Sequence, residues 1–326
     1  MAGTTAKILF LSVVLVPERA YGTLVPPHLD DAVVALGSMQ PVESPGQPCT
    51  LRWTTEGTGF LYGYLAKNDP DPTKREYGVY LVTNRHVIED HVKGQRFLKM
   101  NEQSAHLTGQ CGDAKPDDTV ITVRINPPSA SAEGRQFPLP IDKWFFHPNK
   151  EVDIAAVRLN ATFLKDQGLL NAFFSNDEIG ANKEKLKSKA VSAGDGVFVL
   201  GFPMNLAGVQ RNYVIVRHGC IARISDMLEG TSSDFLLDTF IFPGNSGGPV
   251  ILKPEAISIT GTPSQNNAYL IGIVRAYIPY TDTAISPQTG RPRISFEENS
   301  GLAEVLPIDD IDQAIRSWQQ ANPQPQ

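Results

Sequence analysis

The chain has 326 residues, of which 41% are hydrophobic, and it contains 27 glycines and 25 prolines. This length and composition allow a large buried core interrupted by many turns. Its net charge of −6, with scattered basic residues, argues against nucleic acid or an anionic membrane surface as a partner.

The N-terminal segment predicts a secretory signal peptide over residues 1–22. Lys7 precedes the apolar run Ile8–Val16, and Ala20-Tyr21-Gly22 follows as a small-x-small cleavage pattern. The alternative is a buried N-terminal strand, because Phe, Val and Ile also suit strands. A signal implies export to the periplasm or secretion, with no membrane contact after its removal; without one the protein is cytoplasmic.

The cysteines leave the compartment open. Cys49 and Cys111 lie in polar, turn-rich sequence and could pair in an exported protein, whereas Cys220 suits a buried apolar position. The spacing of the three cysteines matches no zinc site.

Short apolar runs separated by Gly, Pro, Asn and Asp recur along the chain and predict strands. Examples are residues 32–36, 59–64, 77–82, 119–123 and 197–200. The pattern alone indicates an all-β barrel or sandwich. Residues 92–118 and 125–140 are interpreted as long polar loops.

Two apolar runs lie next to a candidate base and a candidate acid. His86 lies just beyond the apolar run Val79–Val82, after a polar turn. Asp153 opens the apolar run that ends at Leu159, so its carboxylate should be partly buried and in need of a partner such as an imidazole N–H.

A glycine-rich turn carries the candidate nucleophile, Ser246. Gly244 precedes it by two residues, and Gly247 and Gly248 follow it, which allows a sharp turn and a close approach to another molecule. Such a turn directs backbone N–H groups at one point, as an oxyanion requires. We therefore assign Gly244, Asn245 and Ser246 to an oxyanion hole, with the Gly244 and Ser246 amides as donors.

The last element is a helix predicted over residues 307–320. Ile308, Ile311, Ile315 and Trp318 share one face at helical spacing, and acidic residues lie in the first turn, where the helix dipole favours them. Residues 321–326 are expected to be disordered.

Five motifs resemble those of the trypsin-like (chymotrypsin-fold) serine proteases, most closely the bacterial HtrA/Deg branch, and the chain has the family order His, Asp, Ser. They are TNRHV at His86, VDIAAVRL at Asp153, GNSGGPV at Ser246, and LGFP and LIGIV in the second half of the chain. The resemblance covers roughly residues 30–318 and implies a serine endopeptidase with a polypeptide substrate. His86, Asp153 and Ser246 would be its catalytic triad, and their acyl-transfer chemistry needs neither a metal nor an organic cofactor.

The same resemblance implies two six-stranded antiparallel β-barrels with the active site in the cleft between them, plus the C-terminal helix. The N-terminal barrel would span residues 23–165 and carry His86 and Asp153. A linker would span 166–192, and the C-terminal barrel 193–306 would carry Ser246. The final helix should pack on this second barrel. The segment before the helix is too short for the PDZ domain of HtrA proteases.

Substrate contacts follow from the resemblance alone. Val274, Arg275, Ala276 and Tyr277 would pair with the substrate backbone as an added strand. Phe240, Ile241 and Phe242 would line the pocket for the residue before the cut. Phe240 at its base favours a small or medium apolar residue; alternatively, Arg275 could recruit an acidic one.

Asn245 departs from the animal digestive branch, which has Asp there. An uncharged amide cannot form an ion pair with a newly cut N-terminus, so we expect no activation of that kind. Two alternatives to an active peptidase remain: a catalytically weak, protease-like peptide-binding module, and an esterase using the same chemistry.

Overall fold

The computed structural model describes residues 25, 27–42, 50–104, 117–129, 131–255, 264 and 266–323. The predicted signal peptide, Cys49, Cys111 and the last three residues of the predicted tail lie outside these ranges. Across the described ranges, every helix is too short or too polar to cross a lipid bilayer.

The first half of the chain forms one eight-stranded sheet. Its strands are β1 (Val33–Val42), β2 (Thr50–Lys67), β3 (Glu76–Thr83), β4 (Val120–Ile125), β5 (Arg135–Pro140), β6 (Phe145–Phe146), β7 (Ala155–Arg158) and β8 (Phe174–Ser175). Their order is β5-β4-β1-β2-β3-β7-β6, and β8 pairs with β2 in parallel.

The second half forms a closed six-stranded antiparallel barrel. Its strands are β9 (Gly196–Gly201), β10 (Ile215–Arg223), β11 (Phe235–Asp238), β12 (Pro249–Leu252), β13 (Tyr269–Ile285) and β14 (Pro292–Pro307). The order around the barrel is β10-β11-β14-β13-β12-β9. β13 and β14 continue past the barrel as a long, exposed hairpin.

The predicted mostly-β fold with two β units and a C-terminal helix is confirmed. The first unit differs from a closed six-stranded barrel, because its end strands β5 and β6 do not pair with each other in the described residues. β5 also lies within residues 125–140, so the prediction that this whole segment is a loop is wrong.

Six α-helices lie in the described ranges. They are α1 (Pro27–Asp30), α2 (Arg85–Ser104), α3 (Ala161–Asp166), α4 (Lys183–Ser188), α5 (Ser225–Glu229) and α6 (Ile308–Ala321). α2 begins immediately after β3 and replaces the first part of the loop expected over residues 92–118. It packs on β2 at Gly57, where an added Cβ would lie 2.6 Å from Val87.

A continuous core joins the two halves. One apolar cluster fills the inside of the closed barrel, including Phe235 and Ile271. A second cluster combines the first sheet with side chains from the second half, among them Phe202, Leu270 and Leu306. The two β units are therefore fixed against each other by buried apolar contacts.

The C-terminal helix contacts both halves, so the prediction that it packs on the second barrel was incomplete. Trp318 stacks on Phe145 of β6 with ring centroids 4.9 Å apart. The Tyr62 hydroxyl of β2 donates to Asp312 at 2.8 Å, and Gln319 Nε2 donates to the Tyr80 hydroxyl of β3 at 3.0 Å. The helix thereby ties the end of the chain back to the first sheet.

Candidate active site

His86 and Asp153, 67 residues apart in the chain, lie side by side at the beginning of α2. Nδ1 of His86 is 2.6 Å from Oδ2 of Asp153. The other carboxylate oxygen accepts the backbone N–H of His86 at 2.9 Å. Both oxygens of one acid therefore orient the same histidine, through its ring and through its backbone.

The local fold explains why an acid suits this position. Asp153 lies in the turn before β7, and its carboxylate accepts an N–H of the first turn of α2, where the helix dipole favours negative charge. Its backbone carbonyl accepts from the Asn84 side chain at 2.8 Å. The Asp153 side chain is 13% exposed and that of His86 is 38% exposed, so the histidine keeps an open edge toward solvent.

Ser246 lies in a tight turn between β11 and β12 whose backbone requires glycine. Gly244 has φ 97° and Gly247 has φ 84°, in the left-handed region. A Cβ on Gly247 would lie 2.0 Å from the Thr58 carbonyl oxygen, and one on Gly244 would lie 2.4 Å from that of Phe202. Glycine is thus needed both for the conformation and for the close approach of two backbones.

Thr58 of β2 holds this turn against the first sheet, and every one of its polar groups takes part. Its N–H donates to the Ser246 carbonyl at 2.9 Å, and its hydroxyl donates to the Gly244 carbonyl at 2.6 Å. The same hydroxyl accepts the Phe202 N–H, and its carbonyl accepts the Thr83 hydroxyl. Thr58 was not predicted; the available signal was a threonine between Gly57 and Gly59, directly before an apolar run.

Asn245 stabilises the turn from inside. It is fully buried, and its side-chain oxygen accepts the Phe242 N–H at 3.0 Å. Its own N–H donates to the Phe242 carbonyl at 2.9 Å. Because that N–H is already used, the prediction that Asn245 belongs to the oxyanion hole is corrected: it is a positioning residue. In the described part of the chain, the Gly244 and Ser246 N–H groups have no hydrogen-bond partner.

The Ser246 hydroxyl is directed toward β13. It donates to the Arg275 carbonyl at 3.2 Å. Nε2 of His86 makes no hydrogen bond to any described residue, so the serine–histidine contact is not formed in this conformation. Catalytic hydrogen bonds are often loose in unliganded enzymes, and a hydroxyl changes direction by rotation about χ1.

The expected substrate strand lies beside this hydroxyl. Val274 exchanges hydrogen bonds with the turn, accepting the Gly247 N–H at 3.0 Å and donating to the Gly248 carbonyl at 2.9 Å. Arg275 forms a bulge in the β13–β14 ladder, and β12 pairs with β13 only up to Ile273. Among the described residues, the β12 side of Ala276 and Tyr277 therefore has no ladder partner.

The expected pocket residues differ in burial. Ile241 is buried, whereas Phe240 is 51% exposed, so its ring lies at the surface rather than at a closed pocket base. The Arg217 guanidinium lies over the Phe242 ring, 5.4 Å from its centroid. Arg275 lies 3.8 Å from Glu304, which already provides it with an acidic neighbour.

A cavity of about 280 Å³ opens beside His86, between α2 and the strands β1 and β2. It is lined by Gln40, Glu56, His86, Val87, Asp90, His91, Gly94 and Gln95. Buried His91 faces acceptors at both ring nitrogens: Glu56 at 2.6 Å and the Val120 carbonyl at 2.8 Å. Burial lowers the pKa of His91, but the hydrogen bond to Glu56 and the charge of Glu56 outweigh it, so the pKa is raised.

Comparison with known proteins identifies the family of the chain. No curated protein matches the chain. The profile of the trypsin-like peptidase domain family matches residues 57–255, which include Thr58, His86, Asp153 and Ser246. This span covers most of the first sheet and the barrel as far as β12. The chain is therefore a member of the trypsin-like peptidase family, a protease of chymotrypsin-like fold.

Proposed function

We propose that this protein is a serine endopeptidase that hydrolyses peptide bonds through Ser246, His86 and Asp153. The observation that carries the proposal is the double contact of Asp153 with His86. Ser246, in a glycine turn that hydrogen-bonds to Thr58 of the same sheet, supplies the nucleophile. Serine is a weak nucleophile unless a base takes its proton, and the base works best when a third group orients it.

The reaction proceeds by acyl transfer. Rotation about χ1 moves the Ser246 hydroxyl from the Arg275 carbonyl to Nε2 of His86, which accepts its proton as Oγ attacks the scissile carbonyl. Asp153 keeps the Nδ1 proton in place and stabilises the imidazolium. His86 then protonates the leaving amine, and water repeats the same steps to release the acid.

The developing oxyanion is bound by the N–H groups of Gly244 and Ser246. Two features support this assignment: neither group has a partner among the described residues, and the Gly244 carbonyl is held back by Thr58. Removing a donor of this kind costs a factor of about 10² to 10³ in rate.

The acyl part of the substrate binds along β13. The open edge at Ala276 and Tyr277 offers backbone groups to an extended peptide, which would add one strand beyond the end of β12. Exposed Phe240 and buried Ile241 would then contact the residue before the cut, and we propose a preference for an apolar side chain there.

A peptide-binding module without turnover is the second candidate. One observation favours it: the Ser246 hydroxyl donates to Arg275 rather than to His86. In such a protein the cleft would still capture an extended peptide, but the serine would stay unreactive.

Labelling by a fluorophosphonate probe separates the two candidates. We expect the wild type to react with the probe, and Ser246→Ala and His86→Ala to lose labelling. Ser188→Ala, at an exposed serine on α4, is the matched control and should label normally. A folded wild type that fails to label under these conditions contradicts the proposed enzyme and supports the binding module.

We also propose that the protein is exported, on the strength of the apolar run Ile8–Val16 between Lys7 and Ala20. Mass spectrometry of the mature protein tests this directly. A mature N-terminus near Gly22 is expected, and recovery of the intact N-terminus contradicts export by a cleaved signal.

A further inference from the structure

The hairpin formed by the outer parts of β13 and β14 stands free of the rest of the described structure. We refer to residues 279–299 as the arm. Its two strands pair only with each other, from Pro279 opposite Asn299 to Ile285 opposite Pro292. Residues 279–298 are all exposed except Ser286 in the connecting turn. A two-stranded hairpin is marginally stable in water by itself, so the arm would gain stability from a surface that covers it.

One face of the arm is largely apolar. Residues directly opposite each other in the ladder share a face, and successive residues alternate between the two faces. One face therefore carries Tyr280, Asp282, Ala284, Ile294, Phe296 and Glu298. The three large apolar side chains of this set are 59%, 58% and 54% exposed at Tyr280, Ile294 and Phe296.

The opposite face is polar. It carries Thr281, Thr283, Ser295 and Glu297, and Ile285 at the tip is its apolar exception. The hydroxyl oxygens of Thr283 and Ser295 lie 3.1 Å apart, which places both on this side. Alternation of this kind is typical of an antiparallel sheet with one face packed and the other in water. The sequence of the arm is therefore that of a ribbon with one buried face.

Charge is segregated along the arm. Arg291 and Arg293 lie at the tip, whereas Glu297 and Glu298 lie toward the base. None of these four side chains forms an ion pair with a described residue. Arg293 and Glu297 are four residues apart on one strand, about 14 Å, which is too far for an ion pair within a single arm.

We propose that the apolar face of the arm binds the same face of a second copy of this chain, with the two arms antiparallel. Two-fold symmetry then forms every contact twice and sets the basic tip of each arm beside the acidic base of the other. An axis level with Ser295 places Ile294 against the partner's Phe296. It also brings Arg293 level with the partner's Glu297.

Other arrangements fit the arm less well. Parallel arms would set tip on tip and bring the arginines of the two copies together. A peptide added as a strand along the free edge of β13 would extend the ribbon but leave its apolar face uncovered. Antiparallel packing of two arms covers the apolar face and pairs the charges at the same time.

Sedimentation velocity of the full chain measures this association. The contact is smaller than a standard protein interface, so we expect the wild type to pass from monomer to dimer between about 1 and 200 µM. Phe296→Ser should raise the dissociation constant about thirtyfold, because aromatic side chains at the centre of an interface dominate its affinity. Tyr213→Ser is the matched control: this aromatic ring is 63% exposed outside the arm, and its loss should leave the constant unchanged.

Exchange of charges tests the antiparallel arrangement. Arg293→Glu and Glu297→Arg should each weaken the dimer, because each sets like charges against each other across the axis. The double variant restores opposite charges and should recover the wild-type constant. A mixture of the two single variants should form a heterodimer, since every contact across its axis is again between opposite charges.

The outcomes separate clearly. A wild type that stays monomeric at the highest concentration overturns the proposal and leaves a different protein as the occupant of the arm. A dimer that tolerates Phe296→Ser overturns it as well, because that dimer forms through another surface. Circular dichroism checks that each variant folds, and the charge variants keep the apolar face intact if Phe296→Ser does not fold. Single charge variants that dimerise like the wild type contradict the antiparallel arrangement. Association does not require catalysis, so these results are independent of the labelling of Ser246.

Discussion

The two halves of the candidate site are positioned by different kinds of interaction. On the first sheet, His86 is positioned by the Asp153 side chain, whose two oxygens contact the ring and the backbone of the histidine. In the second barrel, Ser246 is positioned by the backbone, through two left-handed glycines and the hydrogen bonds of Thr58. Substitutions at His86 or Asp153 should therefore impair catalysis, whereas substitutions in the Ser246 turn should impair both catalysis and folding.

The sharpest test of this comparison is Gly247→Ala. The new Cβ would collide with the Thr58 carbonyl and force an alanine into a left-handed backbone, so we expect loss of all activity and about 3 kcal/mol of stability. Labelling by fluorophosphonate and the denaturation midpoint measure the two effects. Gly194→Ala is the matched control: φ is 98°, but an added Cβ meets no atom within 4 Å, so activity should survive. Equal behaviour of the two variants would show that close approach at Gly247 is unimportant.

Asp153→Asn tests the part of the site in which a side chain positions His86. Asparagine can still accept the His86 N–H, but it cannot stabilise the imidazolium, so we expect a loss of about 10⁴ in kcat with little change in stability. Peptide hydrolysis and thermal unfolding provide the two readouts. Asp142→Asn, at an exposed acid beside Lys143, should change neither. A large fall in stability with Asp153→Asn contradicts the claim that this part of the site affects catalysis without affecting folding.

The role of Thr58 is tested by a pair of variants. Thr58→Val leaves the Gly244 carbonyl and the Phe202 N–H without their partner in a buried setting, and we expect a loss of about 2–4 kcal/mol and of about 10² in labelling rate. Thr58→Ser keeps the hydroxyl and should restore most of the rate. If Thr58→Ser is as slow as Thr58→Val, the hydroxyl hydrogen bonds to Gly244 and Phe202 do not account for the rate.

The smallest expected effect concerns His91 of α2, which differs from His86 in its hydrogen bonds. His86 keeps Nε2 without a partner among the described residues, whereas His91 faces an acceptor at each nitrogen and is best satisfied as a cation. Its pKa is raised in the folded state, despite burial, by Glu56, Val120 and Asp117. The folded state therefore binds this proton more tightly than the unfolded state does. The resulting stability is full below the unfolded value of 6.5 and is lost as the pH rises through the folded pKa.

Thermal unfolding of the wild type and His91→Gln across pH 5–9 measures this contribution. We expect the wild type to exceed the variant by a few degrees in Tm at low pH, and the gap to narrow above pH 6.5. The comparison between the two proteins cancels other acids that titrate in this range, including Asp310 and Asp312, whose pKa values burial raises to about 6. A gap that widens with pH contradicts a cationic His91.

Local patterns in the sequence were sufficient for much of the fold. Short apolar runs bounded by turn residues predicted β1, β3 and β9, and the spacing of Ile308, Ile311 and Ile315 predicted the final helix, because these signals depend on neighbours only a few residues apart. The motifs around His86, Asp153 and Ser246 also identified the family that the profile match supports.

Only the tertiary structure decided how these pieces are held. Thr58 and Gly244 are 186 residues apart, and no local pattern links them. The engaged N–H of Asn245, the left-handed backbone of Met204 and the contact of α6 with the first sheet likewise depend on chain segments far away in sequence. The residue types that do chemistry can be recognised from composition and order, but their hydrogen-bond partners are set by long-range packing, which a single sequence does not display.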